Sequence, residues 1–149
     1  MPTEYYEDIK LHKTYRSREY HLSEEEIIDF AKQWDPQPFH TDPEFAKNTR
    51  FGGLFASGAH LMVICVKLDC EREPKPSYIA GLGSDESRNV APARPGDILV
   101  MEIEAISKRK SKSDPNAGVV RYITRLLNQR EEPLIIGKFS VLVEKRDKR

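Results

Sequence analysis

The chain has 149 residues, 24 Lys plus Arg balanced by 24 Asp plus Glu, and 38% hydrophobic residues. That length predicts one domain, residues 1–149, with a single core. Zero net charge gives no general attraction to nucleic acid or to an anionic membrane, and the lack of an apolar leader or an 18-residue apolar run predicts a soluble, cytoplasmic protein.

Residues 14–22 alternate and carry aromatics, which predicts a strand or extended arm. Ser23 followed by Glu24, Glu25 and Glu26 is a capping-box pattern, with Ser23 as N-cap and Glu26 three residues on. The helix it starts carries Ile27, Phe30 and Ala31 at helical spacing and stops before Pro36. The run Pro36, Gln37, Pro38, Phe39 predicts no helix interior. Asp42 followed by Pro43 then opens a short helix, with a side-chain acceptor at the N-cap and proline at the first position.

The segment GAHLMVICVKLDCERE, residues 58–73, is apolar nearly all the way round and too short for a bilayer, so it predicts a helix buried on most sides. Its first thirteen residues cover about 20 Å at 1.5 Å each, the width of a small sheet wrapped around it. Cys65 and Cys70 lack CxxC spacing and fall on different helix faces, which predicts free thiols.

The second half predicts that sheet. Residues 76–83 read as a short strand and 94–97 as a turn. Residues 98–107 alternate, with Leu99, Met101, Ile103 and Ala105 on one face and Glu102 and Glu104 on the other. A polar hairpin loop at 108–118 precedes long strands at 119–128 and 133–146. Short connections make the sheet antiparallel, and helices early with strands late give an α+β arrangement.

Two places carry chemistry. Asp35 lies five residues before His40, with two prolines stiffening the segment between them. Such a pair can hold and polarise one water, or it can simply mark where one helix ends and the next begins. Ser57 and Gly58 open the long helix. Its free backbone N–H groups suit an oxyanion or a polarised carbonyl, and glycine allows close approach; equally, Ser57 can be a plain N-cap. The four histidines share no metal-ligand spacing with each other or with cysteine. His60 reads as a helix-surface or interface residue. Arg88, Arg94 and the basic run from Lys108 to Lys112 suit phosphates or solvent alike, and the C-terminal EKRDKR reads as solvated.

The run WDPQPFHTDPEFAKNTRFGGLFASG resembles the signature of the MaoC-like dehydratases, or hydratase 2 family, through Asp35, Gln37, Pro38, His40, Asp42, Pro43, Ala46, Phe51 and Gly58. The later GLGSDESRNVAPARPGDIL is also similar, so the likeness spans residues 5–144. The resemblance implies a hot-dog fold, an antiparallel sheet curved around one long helix. It also implies reversible hydration of a trans-2-enoyl thioester of coenzyme A or acyl carrier protein to the (R)-3-hydroxyacyl thioester, with no metal or cofactor. Carried over, Asp35 and His40 activate water and the Gly58 N–H polarises the carbonyl. Ser57, Gln37, Phe39 and Phe51 are the candidate substrate-binding residues. A homodimer, or a higher oligomer of dimers, is implied as well. Gln37 stands where many relatives have Asn. Asn89 replaces a bulky aromatic, and Val66 stands where some hydratases place a serine. A hot-dog thioesterase and a non-catalytic or heteromeric acyl-binding subunit are the competing expectations.

Overall fold

Side-chain alternation sets the sheet. In the computed structural model, which describes residues 3–147, Leu99, Met101, Ile103 and Ala105 are all buried on strand β6 (Ile98–Lys110). Glu102 and Glu104 face outward, where they pair with Arg16 at 3.1 Å and Arg125 at 3.5 Å. β6 pairs antiparallel with β7 (Ala117–Leu127), and β7 with β8 (Pro133–Glu144). The strand order is β2 (Thr14–Arg16), β6, β7, β8, β5 (Tyr78–Asn89), and β3 (Tyr20–His21) pairs with the start of β6. β1 (Thr3–Glu4) and β4 (Lys75–Pro76) form a separate two-stranded parallel sheet.

Helix α4 (Gly58–Cys70) lies in the curve, packing Leu61, Ile64 and Leu68 onto the inward side chains of β6, β7 and β8. This is the hot-dog arrangement. The expectation that α4 is buried on most sides needs correction: Met62, Val63 and Val66 are 45%, 50% and 62% exposed. The sheet covers one side of the helix and α1 covers His60, while among the described residues nothing buries Met62, Val63 or Val66.

Three other expectations shift. α1 (Glu24–Trp34) and α3 (Pro43–Lys47) fall where predicted, but residues 38–41 form a further helical turn, α2 (Pro38–Thr41). Pro38 occupies its first position, where proline has no N–H to lose and the right φ. β5 runs on to Asn89 rather than stopping at residue 83. Gly81, Gly83 and Ser84 blur its pattern, yet its backbone pairs with β8 from Tyr78 opposite Val143 to Asn89 opposite Ile135. The C-terminal tail is exposed at Arg146 and Asp147 as expected but is also held at one point, where the Arg146 N–H donates to Glu7 at 2.9 Å and its guanidinium pairs with Asp8; residues 148 and 149 lie outside the described span.

Candidate active site

Asp35 is the C-cap of α1. Its N–H still donates to the Ala31 carbonyl at 2.9 Å, and Pro36 stops the helix there. The chain turns at once into α2, with the Gln37 N–H donating to the Asp35 carbonyl (2.7 Å) and the His40 N–H to the Gln37 carbonyl (2.9 Å). The two prolines thus fold the five-residue spacing back, and His40 Nε2 comes to 3.5 Å from Asp35 Oδ2.

The His40 ring is buried, edge-on to Phe39 and Phe55. Its Nδ1 lies 2.7 Å from the Phe55 carbonyl oxygen. A carbonyl can only accept, so Nδ1 carries the hydrogen, and in the neutral imidazole Nε2 then presents a lone pair towards Asp35. Asp35 is fixed from the other side, where the buried Ser57 hydroxyl donates to Oδ2 at 2.7 Å. The same oxygen of Ser57 accepts from the Ala59 N–H at 3.2 Å, so it caps α4 and holds Asp35 at once.

With the imidazole neutral, Asp35 Oδ2 and His40 Nε2 are two acceptors 3.5 Å apart, close enough for one water seated beside the pair to donate to both. Gly58, first residue of α4, is half-buried beside them along the chain. Among the described residues, no group of three or more His, Cys, Asp or Glu could hold a metal ion.

The segment leading to Ser57 is braced from behind. Arg94 donates to the carbonyls of Phe51, Gly53 (2.9 Å) and Leu54 (3.4 Å). Buried Asp97 accepts the Arg94 N–H at 2.8 Å, and the Ala56 N–H donates to the Ala93 carbonyl at 3.0 Å. Arg94, offered by sequence for phosphates, is thus occupied in placing Phe55 and Ser57.

The remaining candidates divide. Phe39 stacks on Phe55 at 5.4 Å and Phe51 leans on it at 4.5 Å, with Phe51 half exposed at the rim. Gln37 is exposed and contributes its backbone to α2. His60 is not a surface residue: it is buried, stacked on Phe30 with ring centroids 4.4 Å apart, and its Nε2 lies 2.7 Å from Glu26 Oε2. Tyr20 also donates to Glu26 Oε2 at 2.7 Å, and burial together with that carboxylate pushes the Tyr20 hydroxyl up to about 12. Glu26 therefore links α1 to α4.

A cavity of about 320 Å³ lies between α4 and strands β5 and β8. Met62, Cys65, Val66 and Phe139 give it an apolar wall, and Gly81, Gly83, Ser84, Ser87 and Gly137 leave the space open. Asp69 and Tyr78 also line it, hydrogen-bonded to each other at 3.0 Å and both joined to buried Arg72. Burial raises the Asp69 carboxyl above the usual range, against the pull of Arg72, and pushes the Cys65 thiol up to about 12.

Comparison with known proteins agrees with this architecture. A family model described as a MaoC like domain matches residues 9–125. The MaoC-like dehydratase of Rhodospirillum rubrum is 35% identical, with a TM-score of 0.90 over 96% of this chain and 98% of that one. The uncharacterized protein YdeM of Bacillus subtilis is 27% identical over 140 residues, 93% of this chain and 98% of YdeM. An (R)-hydratase of Pseudomonas aeruginosa shares the fold, with a TM-score of 0.77 and 24% identity over 95% of this chain and 86% of that one.

Proposed function

Because the chain belongs to the MaoC-like dehydratase family, we propose that it is an (R)-specific enoyl-thioester hydratase and dehydratase. Its substrate would be a trans-2-enoyl thioester of coenzyme A or of acyl carrier protein. The observation that carries this reading is the 3.5 Å approach of Asp35 Oδ2 to His40 Nε2, with Ser57 holding the carboxylate and the Phe55 carbonyl fixing the tautomer.

A water seated beside the pair, within hydrogen-bond reach of both, donates one hydrogen to each acceptor and turns a lone pair to the β carbon. His40 takes a proton as the oxygen bonds to that carbon, the thioester carbonyl becomes an enolate oxygen stabilised by the Gly58 N–H, and the proton is returned to the α carbon. Dehydration runs the same steps backward. The cavity along α4 supports an acyl substrate, since an alkyl chain suits walls such as Met62, Val66 and Phe139. Among the described residues, no helix is long and apolar enough to cross a membrane. The bare α4 stripe and the one-sided β5 edge support a homodimer as the working state.

Crotonyl-coenzyme A hydration, followed by loss of the conjugated enoyl absorbance, tests the reading. Asp35→Asn and His40→Ala should each cut turnover by about 10² or more, the usual worth of a positioned acid or base. Wild-type turnover in both variants would remove the assignment. Protein that binds a chain-length series of enoyl thioesters without converting them would instead be an acyl-binding subunit.

A further inference from the structure

Asn89 ends β5, thirty-one positions after Gly58, yet its side chain packs directly on that glycine. A Cβ built on Gly58 would sit 2.7 Å from Asn89 Oδ1, 2.9 Å from Nδ2 and 3.1 Å from Cγ. No real Cβ tolerates such contacts, so the absence of a side chain at 58 is what lets the carboxamide lie there. The backbone beneath it is anchored: Asn89 pairs with Ile135 of β8, and the Val90 N–H donates to the Leu134 carbonyl at 2.8 Å. The carboxamide itself makes no hydrogen bond to any described residue. An amide with two unused N–H groups thus stands on a rigid strand end beside the first peptide of α4.

We propose that Asn89 is a further catalytic residue, a second donor that joins the Gly58 N–H on the thioester carbonyl oxygen; this rests on the hydratase reading above. Two donors that each reach one oxygen at about 2.7–3.1 Å lie within about 6 Å of each other. The Asn89 amide, in contact with the position next to the Gly58 N–H, meets that limit. Its oxygen and nitrogen exchange by a half-turn of the carboxamide, and an incoming carbonyl oxygen selects the NH₂. Being neutral, the amide stabilises the developing enolate without titrating in the working range.

The test is steady-state hydration of crotonyl-coenzyme A by Asn89→Ala, Asn89→Leu and Asn89→Asp, beside wild type and Asp35→Asn. Asn89→Ala and Asn89→Leu should both lower kcat by about 10² to 10³ with KM changed only a few-fold, because the donor acts on charge that develops in the transition state. The Leu variant keeps the bulk against Gly58 and loses only the N–H. Asn89→Asp should be at least as slow at neutral pH and recover part of its rate relative to wild type at the same pH as pH falls, when the protonated carboxyl regains a donor. Melting temperatures should stay near wild type, since the side chain is exposed. Wild-type kcat in Asn89→Leu, with Asp35→Asn inactive, would overturn the second donor and leave the hydratase reading intact. Wild-type turnover in Asp35→Asn, or an inactive wild type, would overturn both.

Discussion

Asp35 Oδ2 is where the site's hydrogen bonding converges. It accepts from Ser57 at 2.7 Å and faces His40 Nε2 at 3.5 Å, so its direction is set before any substrate arrives. Ser57→Ala should therefore show two separable losses. Removing the α4 N-cap costs about 1 kcal/mol of stability, measurable by urea denaturation. Removing a hydrogen bond to a charged group is worth about 1.5–3 kcal/mol, so kcat for enoyl-thioester hydration should drop by about 10- to 100-fold with little change in KM. An unchanged kcat would mean that Ser57 only caps the helix. The Asp35-to-His40 spacing was readable in the sequence because prolines and helix starts are local signals. The Ser57 bond was not, because it spans 22 positions and depends on how α1 and α4 pack. The Asn89 contact with Gly58 and the Arg94 brace were hidden for the same reason: each joins residues that only the closed sheet brings together.

Helices α1 and α4 carry the two halves of the site, and Glu26 ties them through His60. With Nε2 at 2.7 Å from the carboxylate and the ring stacked on Phe30, His60 fixes how the C-terminal end of α1 presents Asp35 to the start of α4. His60→Ala removes a buried ring and one of the two hydrogen bonds at Glu26 Oε2, with Tyr20 keeping the other, and should cost about 0.5–1.5 kcal/mol of unfolding free energy for the bond plus the lost packing on Phe30. In a double-mutant cycle, Glu26→Gln and His60→Ala should be non-additive by about 0.5 kcal/mol or more, whereas additivity in urea melts would show that the two contribute independently. Element-level legibility followed the strength of the local pattern. β6 was clear because Leu99, Met101, Ile103 and Ala105 alternate without a break. α2 was missed because Pro38, unlike Pro43, follows no side-chain capping residue and reads with Pro36 as a breaker. β5 was cut short because its small residues carry no alternation and its pairing with β8 is a tertiary fact. The same capping box that placed α1 also misassigned Glu26: the Ser23 cap forms, at 3.1 Å from the Glu26 N–H, but the Glu26 carboxylate turns to Tyr20 and His60 instead of back to the helix start.

At the scale of the molecule, the two faces that the sequence misjudged lie side by side. Every residue of β5 is exposed, and the strand pairs only with β8 among the described strands, so a full row of backbone N–H and C=O groups is left open. Met62, Val63 and Val66 on α4, with Ile79, Leu82 and Val90 on or beside β5, add apolar surface. A long open edge flanked by apolar side chains invites aggregation unless something pairs with it, and in the homodimer proposed above a second copy would do so by extending the sheet through β5 and laying one α4 against the other. This also explains why α4 reads as apolar all round although one sheet covers only half of it. Wild-type protein should sediment at twice the 17.2 kDa chain mass, with an interface of about 1,200 Å² or more. Val66→Glu places a charge in the middle of the stripe and Leu82→Lys places one on the edge; each should shift the species to the 17.2 kDa monomer, while Lys32→Glu on the exposed side of α1 should leave the dimer intact. A monomeric wild type at micromolar concentration, or a Val66→Glu variant that still sediments as a dimer, would place the contact elsewhere. Because the acyl cavity is walled by the same α4 and β5, the monomeric variants should also lose affinity for enoyl thioesters more than Lys32→Glu does.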